Sequence, residues 1–182
     1  MNFKTRSQLM DETALKRTIT RLAHEIIERC KGTENIAVIG IRTRGEFVAR
    51  RIAKKIEEVE NTTVPVGVLD TVMYRDDFRR TKALPAMEIT DIPFSVDDKI
   101  LILVDDVIYT GRTIRAAMDA LMDFGRPSAI QLAVLIDRGH RELPIKADYI
   151  GKSVPTAKNE EVRVQMREVD GRDEILLVEV AE

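Results

Sequence analysis

The chain has one cysteine, Cys30, in 182 residues. No intrachain disulfide can form, and a reducing compartment is expected. A cationic excess is also missing: 29 lysines and arginines stand against 31 aspartates and glutamates, for a formal charge of −2. That balance excludes a global basic footprint, so any nucleic-acid site must be local. No apolar run approaches the length that crosses a bilayer, and none follows the first charges at the N-terminus. Both absences argue against a membrane protein or a signal peptide and predict a cytoplasmic one. Internal repeats, low-complexity tracts and interdomain linkers are lacking too, and the length fits one domain, residues 1–182, with a sizeable core.

What the chain does have is a regular alternation of strand and helix patterns, the mark of an α/β fold. Helices are predicted from Glu12 to Cys30 and from Arg44 to about Ile56, with strands at Ile36 to Ile41 and Val64 to Leu69. A polar stretch from Asp70 to Asp98 follows, broken by Pro85 and Pro93 and too long for a mere connector. After it come a central strand starting at Ile100, a helix running to Phe124 and a strand from Ile130 to Ile136. The segment from Asp137 to Thr156 mixes charge with Gly139, Gly151 and two prolines, which suits a small hood rather than another sheet strand. Near the end, Val162, Val164 and Met166 alternate with polar residues, Asp170-Gly171 marks a turn and Ile175 to Val180 returns, predicting a terminal β-hairpin.

The richest segment runs from Ile100 to Thr113. Ile100 to Val104 is a continuous apolar stretch that suits a strand covered on both faces of a parallel sheet, and it is expected to end at Asp105. Asp105 and Asp106 then stand where open α/β sheets place their ligands. Two carboxylates there can accept from the vicinal hydroxyls of a ribose or help to hold Mg²⁺. Thr110, Gly111, Arg112 and Thr113 precede a helical pattern carried by Ile114, Ala117, Met118 and Leu121. A helix start of that kind offers backbone N–H groups and a positive dipole end to a phosphate monoester. Either piece alone would pass as an ordinary strand end or helix start; together they point to a phosphorylated sugar.

Two further segments repeat the theme. GIRTRG, Gly40 to Gly45, puts Arg42, Thr43 and Arg44 into a tight cationic turn suited to pyrophosphate, although a basic loop in water would look the same. Tyr74, Arg75, Asp76 and Asp77 lie in a charged stretch that is either a solvated excursion or a lid over the reacting sugar. On the first helix, Leu15, Ile19, Leu22, Ala23, Ile26 and Cys30 share one face, and Lys16, Arg17, Thr20, Arg21 and His24 the other.

VDDVIYTGRT resembles the phosphoribosyl pyrophosphate (PRPP) motif of type I phosphoribosyltransferases. The resemblance implies a central, mainly parallel sheet flanked by helices, a ribose held by Asp105 and Asp106, a 5-phosphate on Thr110 to Thr113, and Mg²⁺ brought by PRPP. It also implies that Arg42 and Arg44 stabilise departing pyrophosphate. Tyr109 stands where 6-oxopurine enzymes of this kind carry an aspartate, which argues against hypoxanthine or guanine. GIRTRG, MYRDDF, VDDVIYTGRT and DRGHRELPIKADYIG together resemble the PyrR family over almost the whole chain. That likeness implies a uracil phosphoribosyltransferase forming UMP that also binds pyrimidine-operon leader mRNA, and a homodimer or higher homo-oligomer. It implies base contacts from Ile150 and Tyr149 and RNA contacts from Thr20, His24, Arg138, Arg141 and Lys146. Lys146 stands where the family usually has arginine. The alternative is an orotate or purine phosphoribosyltransferase without RNA binding.

Overall fold

A computed structural model describes residues 3–74 and 90–180. The elements in chain order are β1 (Phe3–Met10), α1 (Glu12–Cys30), β2 (Ile36–Ile41), α2 (Arg44–Glu60), β3 (Val66–Leu69), a 3-10 turn (Val72–Tyr74), β4 (Ile100–Ile108), α3 (Arg112–Met122), β5 (Ala129–Asp137), β6 (Tyr149–Ser153), β7 (Glu160–Gln165), α4 (Arg167–Asp170) and β8 (Glu174–Val180). The predicted lid residues Arg75, Asp76 and Asp77 lie outside the described residues, and only Tyr74 can be placed.

Asp11 starts α1 by accepting the Ala14 N–H at 2.7 Å, and Lys31 ends it in the left-handed conformation. Its buried residues are Leu15, Ile19, Leu22, Ala23 and Ile26, the face that the 3.6-residue period predicts. β2 is buried along its whole length, as a strand with helices on both sides must be.

Five strands form a parallel sheet in the order β3-β2-β4-β5-β6. Val38, Ile102, Val104, Ala133, Leu135 and Tyr149 face α1 and α2 in one core cluster, while Ile39, Leu101, Leu103, Leu132 and Val134 face α3 in the other. The chain leaves β2 toward β3 on one side and toward β4 on the other, so the strand order reverses between β2 and β4. Ligands of open α/β sheets bind at such a reversal, beyond the carboxyl ends of the strands.

Three sequence expectations change. β4 does not end at Asp105 but continues to Ile108, with Val107 opposite Ile136 and Ile108 opposite Asp137. The segment expected to be only a small cap contributes β6, which pairs parallel with β5. The terminal hairpin of β7 and β8 is present, and β1 joins it in a three-stranded antiparallel sheet of order β1-β8-β7. β1 was illegible because five of its eight residues are exposed, which leaves it no apolar alternation.

Ion pairs fasten that small sheet to α2. Arg51 bonds Asp173 at 2.8 and 2.9 Å and Glu168 at 2.7 and 3.0 Å. Burial alone would raise the Asp170 and Asp173 carboxyls, but bonds from Arg44 and Arg51 and from backbone N–H groups win, holding both below the usual range. A depressed carboxylate stabilises the fold above its unfolded value of about 3.9 and loses that contribution as pH falls through the folded value. The melting temperature should therefore drop on acidification below about pH 4, and less steeply in Arg51→Gln. Parallel melting curves for the two proteins between pH 7 and pH 3 would contradict this.

Candidate phosphoribosyl site

The two loops that flank the reversal come together because α2 starts against β4. An added Cβ on Gly45 would lie 2.7 Å from the Val104 carbonyl oxygen and 3.1 Å from Asp105 Cα, so only glycine allows this approach. Thr43 precedes α2 and the Arg42–Thr43 peptide is cis. Across the crevice, Gly111 caps α3 with φ of 94°, a conformation suited to glycine, and Thr110 Oγ1 accepts the Arg112 N–H at 3.3 Å. A cavity of about 350 Å³ opens over this turn, lined by Asp105, Tyr109, Thr110 to Thr113 and Glu142.

Asp105 and Asp106 serve different sides. Asp105 is buried and opens onto the loop cavity, whereas Asp106 opens onto a second cavity shared with Arg44, Gln165 and Asp170. Neighbours on a strand alternate in direction, which follows from β4 running through this pair. The Asp105 carboxylate accepts the Asp106 N–H at 2.9 Å, and that of Asp106 accepts the Val107 N–H at 2.8 Å. Burial pushes the Asp106 carboxyl above its ordinary value; the Val107 N–H, the Asp105 carboxyl and the Arg44 charge only partly offset it. Among the described residues no cluster of three or more His, Cys, Asp or Glu could cage a metal ion. Two adjacent hard oxygen donors beside open cavities fit an ion carried in by a phosphorylated ligand, the usual arrangement for Mg²⁺.

Several expected site residues stand elsewhere. Arg44 donates to Asp170 at 2.8 and 3.3 Å, so its guanidinium ties α2 to α4 instead of standing ready for a leaving group. Arg42 pairs with Glu46 at 3.1 Å. Tyr149 is not a base-stacking residue here: its ring sits in the core facing α1, and its hydroxyl donates to Gln131 at 2.5 Å. Burial raises that phenol above its ordinary value. Ile150, the next residue, packs on the opposite side of the sheet, the side of the Asp105 row.

Tyr109 does reach the cavity, 39% exposed. Its ring lies 4.0 Å from the Arg138 guanidinium and edge-on to His140, with centroids 5.8 Å apart. Arg138, expected to meet RNA, is only 8% exposed and donates to Thr156 Oγ1 and the Glu160 carbonyl. Arg141, expected in the same role, pairs with Asp137 and donates to the carbonyls of Tyr109, Gly139 and Ile145. Both arginines brace the Tyr109 loop, a role in which burial and carbonyl partners leave little for RNA. Lys146 is exposed.

The first helix keeps its expected polar face. Thr20 donates to the Lys16 carbonyl at 3.0 Å, and His24 Nδ1 lies 2.8 Å from the Thr20 carbonyl, so the two are neighbours on an accessible surface. A groove of about 610 Å³ runs there past Lys16, Arg17, Thr20 and Arg21. Arg21 reaches β6, donating to the carbonyls of Ile150 at 3.2 Å and Gly151 at 2.6 Å. Sequence reasoning missed Glu142 and Asp170 as parts of the site. Their partners are distant in the chain, and no local spacing marks them.

The phosphoribosyl transferase domain family matches residues 5–168. The chain is 56% identical over 179 residues to the bifunctional protein PyrR of Pelotomaculum thermopropionicum, covering 98% of this chain and 99% of that one. With the bifunctional protein PyrR of Clostridioides difficile it shares 55% over 174 residues, covering 96% and 98%. The hypoxanthine phosphoribosyltransferase of Trypanosoma cruzi superposes with a TM-score of 0.73 at 16% identity, covering 97% of this chain and 98% of that one, which shows the shared fold. Family match, full-length identity and the loops gathered at the strand reversal agree: the chain is a phosphoribosyltransferase of the PyrR bifunctional family.

Proposed function

We infer that the protein transfers the 5-phosphoribosyl group of PRPP to N1 of uracil, giving UMP and pyrophosphate, and that it also binds the leader RNA of pyrimidine genes under the control of uridine nucleotides. One observation carries the catalytic half: β4 delivers Asp105 and the Thr110 to Thr113 turn to one cavity at the strand reversal and Asp106 to the neighbouring one, against the cationic loop that starts α2. The turn's N–H groups and hydroxyls hold the 5-phosphate. Asp105 and Asp106 accept from the ribose hydroxyls and keep C1 in place for attack. Arg42, paired with Glu46 before the ligand arrives, and the backbone from Thr43 to Gly45 would face the departing pyrophosphate, and Mg²⁺ bound with PRPP would share its charge. Tyr109, braced from below by Arg138, offers a ring face to the base. No side-chain general base is in evidence among these groups, so the proton that N1 loses as the N1–C1 bond forms and the C1–O bond to pyrophosphate breaks passes to the departing pyrophosphate or to solvent.

The RNA half rests on the α1 face, where Thr20 and neighbouring cations line an accessible groove and His24 lies one turn further on. Such groups meet phosphates and the splayed bases of an RNA loop. A nucleotide controls that binding only by preferring the RNA-competent form. We place the protein in the cytoplasm, as a homodimer or larger assembly in which two such faces meet one RNA. Among the described residues no helix is long and apolar enough to cross a membrane.

A screen of uracil, orotate, hypoxanthine and guanine with PRPP and Mg²⁺ tests the base assignment, with turnover expected for uracil. Preferential turnover of another base would replace it. Titration of the pyrimidine leader RNA with and without UMP tests the regulator. Thr20→Ala should weaken RNA binding about fivefold, the value of one lost hydrogen bond of roughly 1 kcal/mol, while uracil turnover stays intact. Loss of both activities together would trace to folding instead.

A further inference from the structure

Besides Asp105, the phosphate cavity contains a second acid. Glu142, on the hood between β5 and β6, lines the same cavity as Thr110 to Thr113, and its Oε2 accepts from Arg112 Nε at 2.7 Å. The turn's own side chains are hydroxyls and a guanidinium, which with its backbone N–H groups suit an anion. A carboxylate here works against it.

The carboxylate is also separable from the fold. The Glu142 and Leu143 N–H groups both donate to the Thr110 carbonyl, at 3.0 and 3.2 Å, and Leu143 and Ile145 stand so close over Gly111 that an added Cβ would meet them at 3.5 Å. Main-chain bonds and apolar contacts therefore hold this part of the hood against the turn. The Glu142 side chain is 52% exposed, and it pairs with Arg112.

We propose that Glu142 competes with the 5-phosphate of the ligand for Arg112, and so sets how tightly phosphorylated ligands bind and how readily nucleotide leaves. The inference rests on the phosphoribosyl reading of this cavity. Carboxylate and phosphate present the same paired oxygens to the planar guanidinium, so one group displaces the other from the same fork. A phosphate monoester, with charge of about −1.5 to −2, outbids a single carboxylate once it is bound. The displaced Glu142 then stays near the phosphate and repels it. Without that carboxylate the same turn holds UMP longer, which slows release of the product.

Calorimetric titration of UMP and of uridine separates this from a structural role. An exposed ion pair is weak, so Glu142→Gln should bind UMP about two- to fivefold more tightly, with uridine affinity unchanged. The KM for PRPP should fall in parallel. In an Arg112→Met background, Glu142→Gln should lose most of that gain. Unchanged or weaker UMP binding by Glu142→Gln overturns the proposal and makes the carboxylate a buttress of Arg112. Equal tightening of uridine also overturns it. A wild-type protein that binds UMP no better than uridine fails earlier, since it removes the phosphate site itself.

Discussion

Asp105→Asn should lower kcat/KM for uracil turnover by about 10- to 150-fold. A hydrogen bond to a charged group is worth about 1.5–3 kcal/mol, and each 1.36 kcal/mol is tenfold in rate. Asparagine keeps the side-chain oxygen that receives the Asp106 N–H, a bond of 2.9 Å, so the local turn survives while the charge is lost. The melting temperature should accordingly move little. Asp106→Asn carries a second signature. Burial holds that carboxyl above its ordinary value, so on acidification it takes up a proton before an ordinary aspartate does and stops accepting as an anion from the ribose. Wild-type turnover should thus begin to fall at a pH above the usual carboxylate range, and Asp106→Asn should flatten that limb. Superimposable pH profiles would remove Asp106 from the ribose, and an unchanged kcat/KM in Asp105→Asn would remove its neighbour.

The residues that were legible in the sequence are those whose role is local. The apolar run of β4, the paired aspartates and the Thr-Gly start of α3 are contiguous, so their shared end of the sheet follows from the chain itself. The buried and exposed faces of α1 follow from one helical period. Arginines defeated the reading. Arg44, Arg138 and Arg141 look alike as basic residues in loops, yet each is consumed by a partner that only folding supplies: Asp170, the Glu160 carbonyl and the Tyr109 carbonyl. Tyr149 was misplaced for a different reason. Without knowing that it and Ile150 belong to a strand, their period of two is invisible, and one of the pair had to face α1. Glu142 was passed over because a lone acid in a polar hood reads as solvent-facing until the fold brings Arg112 beside it.

Gly45→Ala tests the one contact on which the whole site converges. The new methyl group would meet the Val104 carbonyl at 2.7 Å, Asp105 Cα at 3.1 Å and Asp105 Oδ1 at 3.3 Å. Two of these atoms are backbone at buried positions of β4 and cannot yield cheaply. The start of α2 must retreat instead, carrying Arg42, Thr43 and Arg44 away from Asp105. Two opposing effects act on stability. Overpacking costs about 1–3 kcal/mol, while alanine is preferred to glycine in a helix by up to about 1 kcal/mol. The net loss is small, and in a chain of this size each kcal/mol lowers the melting temperature by about 2–4 °C. Catalysis has no such compensation, because displacing a catalytic group by about 1 Å can cost 100-fold in rate. The expected variant is therefore folded, melts within about 8 °C of the wild type and turns over uracil roughly 100-fold more slowly. RNA binding on the far face of α1 should survive. Full turnover in a folded Gly45→Ala protein would show that the pyrophosphate loop works without this close approach to β4. Loss of turnover only in step with loss of folded protein would assign Gly45 to packing alone.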